Sequence, residues 1–498
     1  MFNSIILLTL TLSLFHLPLT GNSITKNLDK YFSQLYKYRE FNGNVLIAEK
    51  GKVIYEKSFG YADFASKRLN KKKSTFPIAS ITKTFTATAI LQLNEQGKLS
   101  VNDKVIKYFP EFPYPAITIK NLLSHTSGLR PYDNFFDSLR QAAPDTVFTN
   151  KDILPRFASL KLNLKFKPGD NSDYENTNYI FLALIVEKVS GIQFHEYIQK
   201  NILQPAGMIK TFFPRFTFYH YNAKEKRDLS LTYLYPHLYS EEIERADTIG
   251  FVSKYWHTYN FEGFGEIVST TEDLLKYDRA LYNGKLLNEV SQKIAYTPVE
   301  FNNGEINPLG FGLGWEVKLD SEQGKIVMHS GGMIGLRSIL LRDITRNQTI
   351  ILIDNTQNEV YEIAMDALKI LNKKSVRFPR KDAVKLYAQI MVTKGIDPAK
   401  KALKQFRSDS LNYEINENEL NTLGYDLLNT NIQEALEVFK TNMELFPLSW
   451  NVYDSYGEAL LKNGEKDKAI KMYRKSIEIN PTNENGKNVL THLLNNGD

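Results

Sequence analysis

The chain contains no cysteine. That absence excludes disulfides, thiol nucleophiles, thiolate metal sites and lipidation of an N-terminal cysteine, and it leaves the redox compartment open. An excess of either charge is also missing: 62 Lys and Arg against 56 Asp and Glu leave a net charge of +6 over 498 residues. The triplet Lys71-Lys72-Lys73 reads as a solvated loop. With no nucleic-acid motif beside it, no nucleic-acid partner is expected.

The N-terminus lacks the usual positive n-region and a clean A-x-A cleavage site. It runs Met1-Phe2-Asn3-Ser4, then apolar from Ile5 to Leu19, then Thr20-Gly21-Asn22-Ser23. The apolar run is short for a membrane span and fits a secretory signal core followed by small residues. Residues 1–22 are therefore read as a signal peptide of an exported protein, periplasmic or secreted, with an uncleaved anchor as the alternative.

What is present is ordinary globular material, 42% hydrophobic and 24% charged, enough for two to four domains. The organising stretch is Pro77-Ile78-Ala79-Ser80-Ile81-Thr82-Lys83-Thr84, which opens an apolar, helix-like run ending at Gly97. Pro just ahead of a helix and Gly just past it are its expected flanks. Ser80 then falls in the first turn. Lys83 lies three residues on, on the same face, so its amine can reach the Ser80 hydroxyl. A serine needs such a base to become a nucleophile, and the helix N-terminus favours developing negative charge. S-x-x-K by itself is better explained by an exposed capping Ser and a solvated Lys. Its meaning depends on the other motifs of the chain.

Residues 44–60 read as a β-hairpin turning at Lys50-Gly51. Asn121 to Leu129 is a helix end passing into a loop, and His125 within it is a candidate catalytic residue but is read first as a structural histidine, since nothing pairs with it in sequence. Pro168 to Tyr179 is a polar turn feeding the apolar run Ile180 to Val189. There Tyr174 and Asn176, two apart, can be aimed at one cleft, although turn chemistry alone also suits these residues. Residues 211–262 are rich in Tyr, Phe and His, as a pocket wall or as a plain aromatic insertion. Ser269-Thr270 before Thr271-Glu272-Asp273 is a helix-capping signal. Gly310 to Val317, Lys325 to Gly332, Ser338 to Leu341 and Ile350 to Ile353 read as successive antiparallel strands, closed by a helix over Val360 to Leu371. Strands at both ends with helices between indicate an α+β architecture.

Ser80-Ile81-Thr82-Lys83, Tyr174-Glu175-Asn176 and His329-Ser330-Gly331 stand in an order and spacing that resemble the serine penicillin-recognising family. That family comprises class C β-lactamases, DD-peptidases, D-aminopeptidases and related esterases. The resemblance covers roughly residues 25–372 and extends to the Leu122–Leu129 and Gly263–Leu275 segments. It implies an antiparallel sheet flanked by helices, with Ser80 as the acylated nucleophile. Lys83 is implied as the base, alone or sharing the proton with Tyr174, and Tyr174 as acid to the leaving group and base to the deacylating water. Asn176 is implied to bind the substrate amide and Lys83. His329, Gly331 and Gly332 are implied to line the substrate strand, with the N–H groups of Ser80 and Gly332 as the oxyanion hole. No cofactor and no metal are called for. Lys83 needs a depressed pKa, and Tyr174 beside its ammonium is expected to ionise more easily than usual. His329 replaces the lysine usual in β-lactamases. A neutral imidazole holds a carboxylate less well, so true β-lactamase activity ranks low. No G-x-S-x-G occurs, which argues against an α/β-hydrolase.

After about residue 376 strand signals vanish. Ala435 and Ala469, Phe439 and Tyr473, and Pro447 and Pro481 are each 34 apart. This resembles tetratricopeptide repeats, helix pairs that bind peptides or proteins or, more plainly, cap their neighbour. The expected division is a hydrolase domain over 23–375, a helical linker or degenerate repeat over 376–415, and an all-α repeat domain over 416–498. The expected function is hydrolysis of an amide or ester, first of D-residue-containing peptides. A small-ester hydrolase or β-lactamase is the alternative, and a non-catalytic peptide-binding scaffold is the alternative of another class.

Overall fold

The computed structural model describes residues 21–495 except 144, 215–220, 251, 253–258 and 321–323. The signal-peptide reading of residues 1–22 lies almost wholly outside the described residues, and the aromatic 211–262 stretch lies partly outside them. Helix α1 spans Gly21–Lys37. The predicted hairpin follows as β1 (Gly43–Glu49) and β2 (Lys52–Phe59). A short strand β3 (Phe76–Pro77) leads through a 3₁₀ turn, Ala79–Ile81, into α2 (Thr82–Glu95). Helices α3 (Ile119–Leu123) and α4 (Asn176–Ser190) come next. They are followed by β4 (Val268–Ser269) and α5 (Thr271–Tyr282), the latter capped by the Thr270 hydroxyl as its sequence signals. Four strands close this part: β5 (Glu316–Asp320), β6 (Gly324–Met333), β7 (Leu336–Asp343) and β8 (Gln348–Asp354). Then comes α6 (Tyr361–Leu371).

The main sheet has the order β5-β6-β7-β8-β1-β2, all antiparallel. Its strands are apolar at consecutive positions because both faces are covered. Val45, Ile47, Ile350 and Leu352 face α1 and α6. Leu46, Ala48, Ile351 and Ile353 face α2, α4 and α5. Alternation along each strand thus splits the core into two layers. One strand is shorter than its sequence pattern. Residues 310–315 are not extended, and Gly310 and Gly314 take left-handed φ of 69° and 82°. A side chain at Gly314 would stand 2.2 Å from the Ala87 Cβ, so this loop presses onto α2.

α5 is tied to the sheet by charge as well as packing. Asp278 accepts from Arg342 Nε of β7 at 2.5 Å and from Thr349 Oγ1 of β8 at 2.7 Å, while Arg342 Nη1 reaches the Tyr296 hydroxyl. Both charged side chains are buried.

Beyond α6 the chain is almost wholly helical. Its helices are α7 (Ala383–Lys394), α8 (Ile396–Ser408), α9 (Glu417–Leu428), α10 (Ile432–Leu445), α11 (Trp450–Lys462), α12 (Lys466–Ile479) and α13 (Glu484–Asn495). A two-residue parallel pairing of 381–382 with 413–414 interrupts them. A Cβ on Gly424 would meet the Phe439 ring at 2.5 Å, and one on Gly457 the Tyr473 ring at 3.1 Å, so α9 and α11 lie close on their following helices. This region touches the rest at several points, among them Leu238 and Tyr239, which pack on its core, the Leu238 N–H donating to Asp426 at 2.9 Å, and Phe378 against the Tyr31 ring of α1. Among the described residues no helix is long and apolar enough to cross a membrane.

Removing one partner of a buried ion pair leaves the other charge uncompensated. Asp278→Ala is therefore expected to cost about 3–5 kcal/mol of stability. The midpoint of urea unfolding measures it, and an unshifted midpoint would show that Arg342 finds other compensation.

Candidate active site

The backbone around Ser80 is held from two sides. The Ile78 N–H donates to the Ile267 carbonyl beside β4 at 2.9 Å, and the Ile78 carbonyl accepts from the Ser338 hydroxyl of β7 at 2.9 Å. Between them and Ser80 sits Ala79 at φ 46°, a left-handed conformation costing a non-glycine residue about 1–2 kcal/mol. Ser80 therefore stands on the 3₁₀ turn that feeds α2, slightly ahead of the helical first turn expected for it. Gly331 of β6 lies directly alongside. A Cβ there would be 2.4 Å from the Ile78 carbonyl oxygen and 3.1 Å from the Ser80 nitrogen, so only glycine permits this approach. Gly332, the next residue, is exposed on the same strand, beside Arg337.

Lys83, on the first turn of α2, has no exposed surface. Its Nζ donates to Ser80 Oγ at 3.0 Å, Asn176 Oδ1 at 2.8 Å and the Phe264 carbonyl at 2.9 Å. The rings of Tyr174, Tyr179 and Phe264 surround it at 4.9–5.5 Å. Burial pushes its pKa down to about 7, against the pull of the Glu266 and Glu175 carboxylates. The depressed lysine that the motif requires is thus present. Burial supplies it, and among the described residues no neighbouring cation adds to it.

Tyr174 precedes α4, and Asn176 is that helix's first residue, with Glu175 as its cap. Tyr174 as a whole residue is 39% exposed. Its hydroxyl faces inward, where burial raises the phenol pKa and the Ser80 hydroxyl pulls it back. The expectation of an easily ionised phenol is therefore not met, because desolvation of the phenolate outweighs its neighbours. Tyr174 is a protonated phenol at neutral pH.

His329 of β6 is buried, 6.2 Å from Tyr174 between ring centres and 5.9 Å from Phe311. Its Nδ1 donates to the Ser330 carbonyl at 2.7 Å, and Nε2 has no partner among the described residues. Burial and the Lys83 charge push its pKa down to about 3. The imidazole is neutral, as its replacement of a lysine implies.

Three participants lie outside the expected catalytic set. Glu266, within a stretch read as a helix approach and as part of the family resemblance, is buried under three backbone N–H groups, those of Gly263, Phe264 and Gly265, at 2.7–3.2 Å. Burial pushes it up to about 7. The Phe264 carbonyl binds Lys83 through backbone, which no residue type announces. His125, read as structural, stacks on the Tyr174 ring at 4.3 Å. The arrangement places a hydroxyl, an amine near its neutral form, a protonated phenol and a neutral imidazole around one strand edge. These are the elements of nucleophilic catalysis with proton transfer.

The family model of the beta-lactamases matches residues 28–372. Penicillin-binding protein 4* of Bacillus subtilis (strain 168) is 36% identical over 344 residues, 68% of this chain and 74% of that one. Protein flp of Staphylococcus aureus (strain N315) is 29% identical over 356 residues, and the match spans 68% of this chain and 64% of that protein, just under two thirds of its length. Among solved structures, a penicillin binding protein from Bacillus halodurans is similar with a TM-score of 0.57 and 28% identity, covering 68% of this chain and 98% of that one. The D-amino acid amidase from Ochrobactrum anthropi SV3 shares the fold at a TM-score of 0.54 and 21% identity, covering 71% of this chain and 98% of the amidase. With the matched span containing every residue of the site just described, the chain belongs to the beta-lactamase family and is a serine hydrolase of that family.

Proposed function

We propose that the chain hydrolyses amide or ester bonds of D-residue-containing peptides through an acyl-enzyme on Ser80. The observation that carries this is the buried Lys83 amine 3.0 Å from the Ser80 hydroxyl, with its pKa near 7. The neutral amine takes the hydroxyl proton as Oγ attacks the carbonyl carbon. The resulting oxyanion is held by the Ser80 and Gly332 N–H groups. When the tetrahedral centre collapses, the C–N or C–O bond breaks and the leaving group takes the Tyr174 proton. The tyrosinate then takes a proton from the water that attacks the acyl-enzyme, and the Lys83 ammonium returns its proton to Ser80 Oγ as the acyl C–O bond to the enzyme breaks. Asn176 holds Lys83 and offers its amide nitrogen to the substrate.

The substrate class rests on the 36% identical relative, whose name states penicillin binding, and on His329. A buried neutral imidazole supplies no cation for the carboxylate of a β-lactam. That favours peptides first, small esters second and β-lactam turnover last. We also read the C-terminal helices as tetratricopeptide-like. The 34-residue spacing and the close seating of Gly424 on Phe439 and Gly457 on Tyr473 support this. Their role is to bind a peptide or protein, or to cap the hydrolase through the Leu238–Asp426 contact. The N-terminal apolar run supports export.

Incubation with a fluorophosphonate or a labelled penicillin, followed by intact mass, is expected to give one adduct on the wild type and none on Ser80→Ala. No adduct on either protein would return the chain to a non-catalytic scaffold. D-amino-acid amides, D-Ala-D-Ala peptides, nitrocefin and p-nitrophenyl esters tested side by side are expected to rank the D-residue substrates first. Because the reactive form of Lys83 is the unprotonated amine, the acylation rate should rise with pH through about 7 and level off above it. Lys83→Arg, permanently charged, should lose about 10²–10⁴-fold. A rate independent of pH between 5 and 9 would remove Lys83 as the base.

A further inference from the structure

His125 grips the chain on both sides of Tyr174. Its own carbonyl accepts the N–H of Asp173 at 2.9 Å, the residue before the phenol. Its Nδ1 accepts the N–H of Glu175 at 3.0 Å, the residue after it. Its ring lies on the Tyr174 ring at 4.3 Å and 30°. The Asn178 amide nitrogen, 3.3 Å from the same Nδ1, is held in turn by the Ser127 hydroxyl donating to Asn178 Oδ1 at 2.6 Å. Phe311 stands edge-on to the imidazole at 5.0 Å on another side.

Two further features show that this grip is built. His125 has no exposed surface and adopts φ 59°, so its backbone is held left-handed where its carbonyl meets Asp173. An Nδ1 that accepts an N–H fixes the ring as the neutral tautomer with its proton on Nε2. That Nε2 is buried with no partner among the described residues. A side chain serving packing alone would be apolar at this position, because an unpaired buried N–H is costly.

We propose that His125 is a positioning residue for Tyr174: it fixes the phenol over the Ser80–Lys83 pair by three contacts and touches neither substrate nor the nucleophile. The inference rests on the hydrolase reading for the role of Tyr174. Proton transfer tolerates little displacement, and misplacement by about 1 Å can cost on the order of 10²-fold in rate. Freeing one side of the grip acts on kcat, since bound substrate still meets the same strand edge.

The test is a double-mutant cycle in the full chain between His125→Asn and Tyr174→Phe, read by kcat and KM on the best substrate of the panel. Asparagine keeps a short acceptor for the Glu175 N–H and tolerates a left-handed backbone, but it loses the stack. His125→Asn is expected to lower kcat by about 10- to 100-fold with KM within about threefold. In the Tyr174→Phe background the same change is expected to alter kcat less than about twofold, because a residue acting through another is not additive with it. Equal losses in both backgrounds, or a loss confined to KM, would overturn the proposal. His125→Phe keeps a ring against the phenol and leaves the Glu175 N–H without its acceptor. It repeats the cycle should the asparagine variant not fold, with the same non-additivity expected. A second readout needs no turnover. The ¹³Cζ resonance of Tyr174, assigned by its loss in Tyr174→Phe, is expected to shift in His125→Asn. An unmoved resonance overturns the proposal, whereas a wild type without a Ser80 adduct overturns the hydrolase reading alone.

Discussion

The Lys83 side chain carries its amine through fully buried surroundings to three oxygens, those of Ser80, Asn176 and Phe264. Water would solvate an ammonium far better than this pocket does, so the protein makes the neutral amine easy to reach near pH 7. Aromatic rings exclude water, Asn176 and the Phe264 carbonyl orient the amine, and Glu175 and Glu266 keep the charged form from being lost altogether. Opening this pocket to solvent would return Lys83 toward an ordinary lysine and leave Ser80 a plain alcohol.

Such precision has to be carried by rigid parts. Ser80 sits where three pieces of backbone are locked together: β3 on β4, the Ile78 carbonyl on Ser338, and Gly331 against the Ser80 nitrogen. The strained Ala79 persists because those contacts over-determine it. β6 and β7 belong to a sheet covered on both faces, so the strand beside Ser80 cannot shift without disturbing two layers of core. Loops supply Tyr174 and Phe264, and both are fastened by backbone hydrogen bonds to their neighbours.

What the sequence disclosed depends on how local each signal is. S-x-x-K is read within one turn of helix, so the Ser80–Lys83 contact was legible, and the apolar strands Ile350–Ile353 and Ser338–Leu341 announced the sheet. The capping of α5 by Thr270 was equally plain. Ser80 on a 3₁₀ turn was not, because the distinction depends on Ala79 and on a tertiary contact to Ser338. The phenol of Tyr174 was expected to ionise readily because sequence shows its charged neighbours and hides its burial. Residues 310–315 looked extended until the close approach of Gly314 to Ala87 required a turn. The contacts that give His125 and Glu266 their places in the site are equally hidden in the sequence. His125 meets residues about 50 positions along the chain, and Glu266 is held by the backbone of its own turn, which no side-chain type announces.

The place of β1 has a consequence for how the molecule comes into being. It is flanked by β2, its immediate neighbour in the chain, and by β8, whose Asp354 pairs with Gly43. A two-stranded hairpin is marginal in water, and closing a loop of roughly three hundred residues is entropically slow. The early hairpin must therefore wait through most of synthesis with one edge unsatisfied and α1 lacking α6. Contact order of this kind makes assembly a late and cooperative event, in which the oldest and the newest segments of the hydrolase part are joined together.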